Sequence, residues 1–288
     1  MSPDSVKKVG VVGCGIMGSG IVEVVARSGI AVTVVEISDD ALERGIARVG
    51  ASARKAVDRG KMTEEARDAM LGLIEGSTEV EAISDVDLVI EAASEDKEVK
   101  LALFRHLDAV TRPDVVLASN TSSIPIVEIG GVTQRPDKVV GMHFFNPPAI
   151  MRLLEIVRGL LTSDETVDLV RGFGERVGKT TVLSKDRAGF IVNWLLMPYL
   201  NSAVRMLDEG FATREDIDNA VVLGLAHPMG PLALLDLIGL DTALYISYVL
   251  YDEFKDKLYA PPPLLKRMVV AGQFGRKTGK GFYDYDYE

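Results

Sequence analysis

The sequence predicts an α/β fold in which a mostly parallel sheet domain is followed by a small all-helical domain. Up to about residue 185, short apolar runs rich in β-branched residues alternate with longer helical patterns. Several of these runs lack polar alternation, which is typical of strands covered on both faces. Strands that alternate with helices form right-handed crossovers and therefore a parallel sheet. The predicted strands lie at 9–12, 31–35, 87–90, 115–118, 139–143 and 153–157.

Beyond Asp186 the pattern becomes helical. A long apolar helix is predicted over 190–207, with a kink at Pro198 because proline lacks the N–H that a helix interior needs. Thr213 and Asp216 have the spacing of a capping box for the next helix. The remaining predicted helices lie at 232–238, at 242–254 and after Pro261–Pro263.

The two patterns predict two domains, residues 1–185 and residues 186–288. The first would bind the cofactor, and the second would bind substrate. The apolar faces of the second domain exceed what so short a segment can bury by itself, so we expect a homodimer formed through it.

Composition narrows the classes of partner. The chain has 288 residues, a hydrophobic fraction of 47% and no apolar run long enough to span a bilayer. Its formal net charge of -10 opposes encounter with nucleic acid. The single cysteine, Cys14, cannot form an internal disulfide and suits a reducing compartment. Polar residues lead directly into the first strand and leave no room for a signal peptide, so we expect a soluble cytoplasmic protein without a membrane partner.

A glycine-rich turn follows the first predicted strand. It consists of Gly13-Cys14-Gly15-Ile16-Met17-Gly18 and precedes a helix expected from about Ile21. In such a turn one glycine reverses the chain, one lets the backbone approach a pyrophosphate, and one allows close packing of helix and strand. The helix N-terminus adds partial positive charge for the phosphates. The turn predicts a Rossmann-like, dinucleotide-binding domain, although a simple tight turn would show the same pattern.

Glu36 ends the second predicted strand, at the spacing where an acid meets the adenosine ribose. A carboxylate accepts hydrogen bonds from a ribose 2′-hydroxyl and repels a 2′-phosphate, so we expect NAD rather than NADP as the cofactor. A solvated strand end is the alternative interpretation. Cys14, inside the turn, is interpreted as a small filler of the turn rather than as a redox switch.

His143 is the candidate for proton transfer among the three histidines. It ends a predicted strand, and ligands of open α/β sheets bind at the carboxyl ends of strands. A tight reversal at Asn146-Pro147-Pro148 returns the chain so that Glu155 can lie beside it. Ser122 follows another strand, and Asn193 lies in the first turn of the long helix. A core histidine, a serine-rich turn and a helix-terminal asparagine are the structural alternatives.

These motifs occur in the order of a known family. Besides the glycine turn, the chain carries Ser119–Ser123, His143–Pro148, Gly189–Asn193, His227–Pro231 and Lys277–Tyr283. Together they resemble the 3-hydroxyacyl-CoA dehydrogenase family over essentially the full chain, in particular its short single-function 3-hydroxybutyryl-CoA type. The resemblance implies NAD-dependent oxidation of a short-chain (S)-3-hydroxyacyl-CoA to the 3-oxoacyl-CoA, or the reverse reduction, in fatty acid metabolism.

The resemblance also implies roles for single residues. His143 would be the catalytic acid and base, and Glu155 would orient it. Ser122 and Asn193 would hold the C3 oxygen of the substrate. The implied cofactor-side positions are Gly13, Gly15, Ile16, Met17, Gly18, Glu36, Glu95, Lys100, Asn120, Ser122 and Asn146.

CoA carries several phosphate charges, which a basic helix edge can hold. The resemblance matches Ser52 and Arg59 to positions that touch the CoA moiety. The other basic residues of this region are Arg44, Arg48, Arg54, Lys55 and Lys61. A helix that simply solvates one face would carry similar charges.

Three alternatives stay open at this point. The acyl group could be bound to an acyl carrier protein, as in polyketide extender-unit biosynthesis, because both carriers share the pantetheine arm. A non-catalytic dinucleotide-binding sensor or structural protein would show a damaged Ser/His/Glu/Asn set, and here all four residues are present. A dehydrogenase of free hydroxy acids or sugar acids generally relies on a lysine in the linking helix, where this chain has Asn193. Trp194, where relatives often have arginine or a small residue, would change acyl-chain access or thicken the core or dimer contact.

Replacing Glu36 with alanine tests the cofactor prediction. Without the carboxylate, the repulsion of a 2′-phosphate disappears, so the preference for NADH over NADPH should narrow. Steady-state kinetics with both cofactors give the two kcat/KM values. An unchanged ratio between them would contradict the role assigned to Glu36.

Overall fold

The computed structural model describes residues 2–285. The chain forms two compact units, Met1–Arg187 and Ala188–Glu288. We call them the N-terminal unit and the C-terminal unit. The boundary between the units lies after Arg187, two residues beyond the predicted boundary after residue 185. The binding and dimerisation roles of the two units stay predictions.

The N-terminal unit contains one eight-stranded sheet. Its strands are β1 (Lys8–Val12), β2 (Ala31–Val35), β3 (Ile74–Ser77), β4 (Leu88–Glu91), β5 (Val116–Ser119), β6 (Val139–Phe144), β7 (Leu153–Arg158) and β8 (Thr180–Lys185). Their order across the sheet is β3-β2-β1-β4-β5-β6-β7-β8. Strands β1 to β6 are parallel, while β7 is antiparallel to β6 and parallel to β8. The predicted Rossmann-type, mostly parallel sheet is therefore confirmed.

The strand order reverses between β1 and β4, which is where open α/β sheets bind ligands beyond their carboxyl ends. The glycine turn follows β1, and Glu91 ends β4. The segment Ser119–Ser123 begins at the end of β5. The motifs singled out in the sequence of this unit thus lie together at the carboxyl ends of the central strands.

Two strands at the sheet edges were missed by the sequence analysis. β3 and β8 are the outermost strands, and most of their residues are exposed or half-buried. An edge strand can therefore keep polar residues, as in Ile74-Glu75-Gly76-Ser77, and it shows no apolar run. The central strands are almost wholly buried, which is why their apolar runs predicted them correctly.

Six helices complete the N-terminal unit. They are α1 (Ile16–Arg27), α2 (Asp39–Asp58), α3 (Glu64–Leu71), α4 (Lys97–Val110), α5 (Ile126–Gly130) and α6 (Asp164–Arg176). The side chains of the N-cap residues of α2, α3, α4 and α6 accept a backbone N–H of the first turn. These caps fix where the helices start relative to the strand ends.

The first helix begins at Ile16, so the start expected near Ile21 is wrong. The glycines of the motif suggested an irregular turn that extends to about residue 21, but the turn is shorter and Gly18 lies inside the helix. A Cβ on Gly18 would overlap the carbonyl oxygen of Gly13, so the glycine allows the helix to pack directly on the turn. The helix N-terminus therefore lies closer to β1 than the sequence indicated.

The C-terminal unit is helical, as predicted. Its helices are α7 (Val192–Asp208), α8 (Arg214–Leu225), α9 (Pro231–Ile238), α10 (Leu240–Phe254) and α11 (Pro263–Val270). α7 starts two residues later than expected because Gly189 and Phe190 have φ angles of 80° and 47°, outside the right-handed helical region. α7 continues through Pro198. Thr213 caps α8 as expected, accepting the N–H of Asp216 at 3.1 Å.

Two buried carboxylates hold the end of the C-terminal unit. Asp236, 1% exposed, accepts the N–H groups of Phe282 and Tyr283, both at 2.9 Å. Asp218 accepts two N–H groups at the start of α9 and the hydroxyl of Tyr283 at 3.0 Å. Through these carboxylates, the motif Lys277–Tyr283 is linked to α9, which starts at the last residue of the motif His227–Pro231. Burial raises the pKa of Asp236 above its ordinary value despite the hydrogen bonds it accepts.

Among the described residues, no single helix is both long and apolar enough to cross a membrane. The pair α9 and α10 meets the length and composition together, but it is bent by 97° at the break between them.

Candidate active site

His143 and Glu155 face each other across two neighbouring strands. β6 and β7 pair in a register that sets His143 opposite Glu155. The imidazole Nδ1 lies 2.7 Å from Oε2 of Glu155. His143 is 6% exposed, and Glu155 is fully buried. The structure thus brings together the two side chains on which the proton-transfer hypothesis depends.

The carboxylate determines which imidazole nitrogen carries the proton. An ionised carboxylate only accepts hydrogen bonds, so we expect Nδ1 of His143 to carry the proton and to donate it to Glu155. Proton exchange with a substrate would then use Nε2. The ring of Phe145 lies against the imidazole, with 4.6 Å between the ring centroids. This contact and the hydrogen bond together restrict rotation of the imidazole.

Asn120 joins the ends of three strands. Its side-chain oxygen accepts the N–H of Phe144 at 2.9 Å, and its own N–H donates to the carbonyl of Glu91. β4, β5 and β6 are therefore tied at the edge where His143 lies. The structure shows a backbone role for Asn120, and its contact with the cofactor stays a prediction.

Glu95 organises the Ser119–Ser123 segment. Its Oε1 accepts the hydroxyl of Thr121 at 2.6 Å and the N–H groups of Ser122 and Ser123 at 2.9 and 3.2 Å. The Ser122 hydroxyl is 3.4 Å from the same oxygen, at the long limit of a hydrogen bond. Ser122 is thus presented by a loop wrapped around one carboxylate, with a hydroxyl that can turn to a substrate oxygen.

The ionisation of Glu95 depends on its neighbours. Burial alone would raise the pKa of this carboxyl, but the charge of Lys100 and hydrogen bonds from Thr121, Ser122 and Ser123 lower it further than burial raises it. The pKa therefore lies below its ordinary value, and Glu95 is ionised at neutral pH. Lys100 itself is 1% exposed and is paired with the fully buried Glu91.

The glycine turn fits a dinucleotide pyrophosphate. Gly13 has a φ of 89°, a conformation that favours glycine, and its N–H donates to the carbonyl of Val35. A Cβ built on Gly15 would meet no atom within 4 Å, so the backbone is open on that side. The N-terminus of α1 follows directly, with Ile16 exposed and Met17 half-buried. An open backbone beside a helix N-terminus with its partial positive charge has the features that a dinucleotide pyrophosphate requires, and binding by these residues stays a prediction.

Glu36 lies against the turn. Its Oε1 accepts the N–H of Cys14 at 2.5 Å, and its Oε2 accepts the N–H of Ile37 at 3.1 Å. The guanidinium of Arg48, from α2, donates to the carbonyl of Cys14 at 3.1 Å. The backbone of Cys14 is thus held at its N–H by a carboxylate and at its carbonyl by a cation.

Cys14 is fully buried. Burial, with the nearby charge of Glu36, raises the pKa of its thiol to about 11. The thiolate is the reactive form of cysteine, so this thiol is inert at neutral pH. The interpretation of Cys14 as a small filler is favoured, and a redox switch is not.

The residues predicted to contact CoA lie on α2 and at its C-cap. Ser52 is half-buried in the helix, and Arg59 is its exposed C-cap. The neighbouring cations Arg44, Arg54, Lys55 and Lys61 are exposed. In the part of the chain that the structure describes, these four cations and Arg59 form no ion pair. Their charge is available to an anion on this acidic protein.

The other predicted residues lie elsewhere. Asn146 is exposed in the turn between β6 and β7. Asn193 lies in the first turn of α7 in the C-terminal unit and is 8% exposed. Trp194 packs on Phe254 and Tyr259, with ring centroids 4.5 and 6.2 Å apart, so its indole contributes to an aromatic cluster of that unit.

Sequence reasoning missed three contributors to the site. Glu91 was not singled out, because an acid at the end of a strand gives no sign of the lysine nine residues later that pairs with it. Ser119 was only part of a serine-rich motif, and Phe145 only part of the turn. Among residues 2–285, no group of three or more His, Cys, Asp or Glu side chains is placed to hold a metal ion.

Comparisons with known proteins identify the family of the chain. Residues 8–187 match the family model "3-hydroxyacyl-CoA dehydrogenase, NAD binding domain", and residues 189–285 match "3-hydroxyacyl-CoA dehydrogenase, C-terminal domain". The chain is 52% identical over 284 residues to a 3-hydroxybutyryl-CoA dehydrogenase of Mycobacterium tuberculosis, covering 98% of this chain and 99% of that one.

Two solved structures are similar over nearly the whole chain. FadB2 from Mycobacterium tuberculosis has a TM-score of 0.97 and 51% identity, with 98% of this chain and 100% of that chain covered. The (S)-3-hydroxybutyryl-CoA dehydrogenase of Ralstonia eutropha has a TM-score of 0.94 and 44% identity, with the same coverage.

Proposed function

Because the chain belongs to the 3-hydroxyacyl-CoA dehydrogenase family, we propose that it interconverts (S)-3-hydroxybutyryl-CoA and acetoacetyl-CoA with NAD as cofactor. The observation that carries this proposal is the hydrogen bond of 2.7 Å between His143 and the buried Glu155 at the carboxyl edge of the sheet. Relatives named 3-hydroxybutyryl-CoA dehydrogenase support the choice of a short acyl chain.

His143 handles the proton in this reaction. Oxidation of a secondary alcohol removes a proton from the oxygen as hydride leaves the carbon. Nε2 of His143 accepts that proton, and the resulting imidazolium is stabilised by Glu155 at Nδ1. In the reductive direction the imidazolium donates the proton to the forming alkoxide. Bound NAD supplies the hydride acceptor.

The other roles proposed here rest on the family resemblance and on hydrogen-bonding capacity. Ser122 and Asn193 donate hydrogen bonds to the C3 oxygen, where negative charge develops on reduction. Gly13, Gly15 and Gly18 admit the pyrophosphate of NAD, and Glu36 accepts the ribose hydroxyls. Met17, Ile16, Asn146 and Glu95 complete the cofactor side, and Lys100 lies behind Glu95, with its Nζ 3.7 Å from Oε2.

CoA is favoured over an acyl carrier protein by the exposed cations of α2. Ser52 and Arg59 would contact the CoA moiety, and the basic residues around them match its phosphate charges. An acyl carrier protein shares the pantetheine arm but lacks the adenosine diphosphate that such a helix edge would hold.

A cytoplasmic homodimer formed through the C-terminal unit is part of the proposal. Large apolar side chains are exposed on its helices and loops: Leu195, Phe211, Leu223, Leu225 and Val270, at 63–89%. Burial of such side chains against a second copy would remove them from water. The pathway proposed for the enzyme is fatty acid metabolism.

The direct test follows the loss of NADH absorbance with acetoacetyl-CoA. The proposal predicts saturable oxidation of NADH and a lower kcat/KM with NADPH. The same assay with acetoacetyl-acyl carrier protein serves as the carrier control and should give a lower kcat/KM. If the CoA ester is not reduced while the carrier-bound substrate is, the choice of CoA is wrong. If neither is reduced by either cofactor, the proposed function is wrong.

His143→Ala tests the proton-transfer assignment. General acid–base catalysis is worth about 10²–10⁴-fold, so kcat should fall on that scale while NADH binding, measured by fluorescence titration, is retained. His106→Ala is the matched control, because His106 is exposed and bonds only to Glu81 in its described contacts. Near-full turnover of the His143 variant would contradict the assignment.

A further inference from the structure

A buried ion pair lies next to the Ser119–Ser123 segment, which we call the Ser122 loop. Nζ of Lys100, on α4, is 2.5 Å from Oε1 of Glu91, at the end of β4. Lys100 is 1% exposed and Glu91 is fully buried, so both charged groups are almost completely removed from solvent. A fully buried pair costs desolvation on both partners, and replacing such a pair with uncharged groups is often neutral for stability. Stability alone is therefore a poor reason for these two charges.

Glu91 also holds the loop from below. Its Oε2 accepts the hydroxyl of Ser119 at 2.6 Å, and its Oε1 accepts the N–H of Ala93 at 2.8 Å. β4 and β5 pair so that Glu91 lies beside Ser119. The Ser119 hydroxyl in turn accepts the N–H of Thr121 at 3.2 Å. One carboxylate thus fixes the end of β5, from which the Ser122 loop begins.

Lys100 connects this carboxylate to a second one. Its Nζ lies 3.7 Å from Oε2 of Glu95, and Oε1 of Glu95 accepts the N–H groups of Ser122 and Ser123. In space, the three charged groups follow one another in the order Glu91, Lys100 and Glu95, with alternating sign. The last of them, Glu95, accepts the backbone N–H of Ser122. Every member lies in the N-terminal unit.

We propose that Glu91 and Lys100 are positioning residues that hold Glu95 and Ser119 in place, and through them set the hydroxyl of Ser122 for the C3 oxygen. The inference rests on the proposed function, because it assumes that Ser122 binds this oxygen. It changes the interpretation of Lys100, which acts through Glu95 instead of by direct contact with the cofactor.

The charge of Lys100 has a specific task in this arrangement. Burial is the largest influence on the carboxyl of Glu95 and favours its neutral form, while Lys100 opposes it. Among the described contacts of Glu95, Lys100 is the charged group, with Glu91 behind it; the others are hydroxyl and amide donors of Thr121, Ser122 and Ser123. Without the ammonium, the pKa of Glu95 rises, and a protonated Glu95 accepts the loop N–H groups poorly.

The test is the double variant Glu91→Gln/Lys100→Met. It removes both charges, leaves the net charge unchanged, and keeps at residue 91 one oxygen that accepts either the Ser119 hydroxyl or the Ala93 N–H. The matched control, Lys97→Met/Glu128→Gln, makes the same two replacements in an exposed ion pair between α4 and α5. Measurements are the thermal midpoint, kcat and KM for acetoacetyl-CoA, and KM for NADH.

The inference predicts that the double variant folds with a thermal midpoint close to that of the control. Its kcat should fall about 100-fold, the scale of a 1 Å displacement at a reacting centre, with a smaller change in KM for NADH. The acid limb of its pH profile of kcat/KM should move to higher pH, because Glu95 becomes protonated at a higher pH. The control should retain the wild-type kcat and pH profile.

A folded double variant with wild-type kcat and an unmoved acid limb would overturn the inference. If the double variant does not fold, Ser119→Ala replaces it, since this change removes the hydrogen bond to Glu91 and the one accepted from Thr121 while leaving both charges in place. A kcat about fivefold lower would support the inference, and an unchanged kcat would overturn it. Failure of the proposed function is seen separately, because the wild-type protein would then not reduce acetoacetyl-CoA.

Discussion

The site depends on the register between β6 and the antiparallel strand β7. Only this pairing sets His143 opposite Glu155 and lets the imidazole reach a fully buried carboxylate. A shift of one residue would turn the side chain of Glu155 to the other face of the sheet, because successive residues of a strand point to opposite faces. An imidazole without its partner would lose both its fixed tautomer and the charge that stabilises its protonated form.

Carboxylates anchor the backbone throughout this acidic chain. Glu36 holds the glycine turn, Glu95 holds the Ser122 loop, and Asp236 holds the end of the C-terminal unit. Asp186 does the same for α5, accepting the N–H groups of Ile126 and Val127. Each such carboxylate satisfies donors that would otherwise be unpaired at a loop or helix start. Some of the carboxylates behind the net charge of -10 therefore fix the backbone of loops and helix starts. The exposed cations of α2 form a local basic region on this acidic protein.

The parts of the fold that follow from burial could be predicted from the sequence. Apolar runs such as Leu88–Glu91 are buried on both faces and were identified, whereas the edge strand Thr180–Lys185 keeps polar residues and was missed. The start of α1 was misplaced because glycines that allow close packing look like glycines of a loop. The pairing of His143 with Glu155 was expected from the tight turn between them. The pairing of Lys100 with Glu91 was not, because a long-range contact inside the fold leaves no local pattern.

The most direct test of proton transfer by His143 is to determine which ring nitrogen carries its proton. In protein labelled with ¹⁵N in its histidine rings, nitrogen shifts and their couplings to the ring protons distinguish a proton on Nδ1 from a proton on Nε2. The signals of His143 are assigned by their absence from the spectrum of a His143→Ala variant, and the exposed His106 provides an internal reference. We expect neutral His143 to carry its proton on Nδ1, where Glu155 accepts it. A proton on Nε2 would rule out the proposed proton transfer, because Glu155 would then have no donor on the ring and Nε2 could not take the proton of the alcohol.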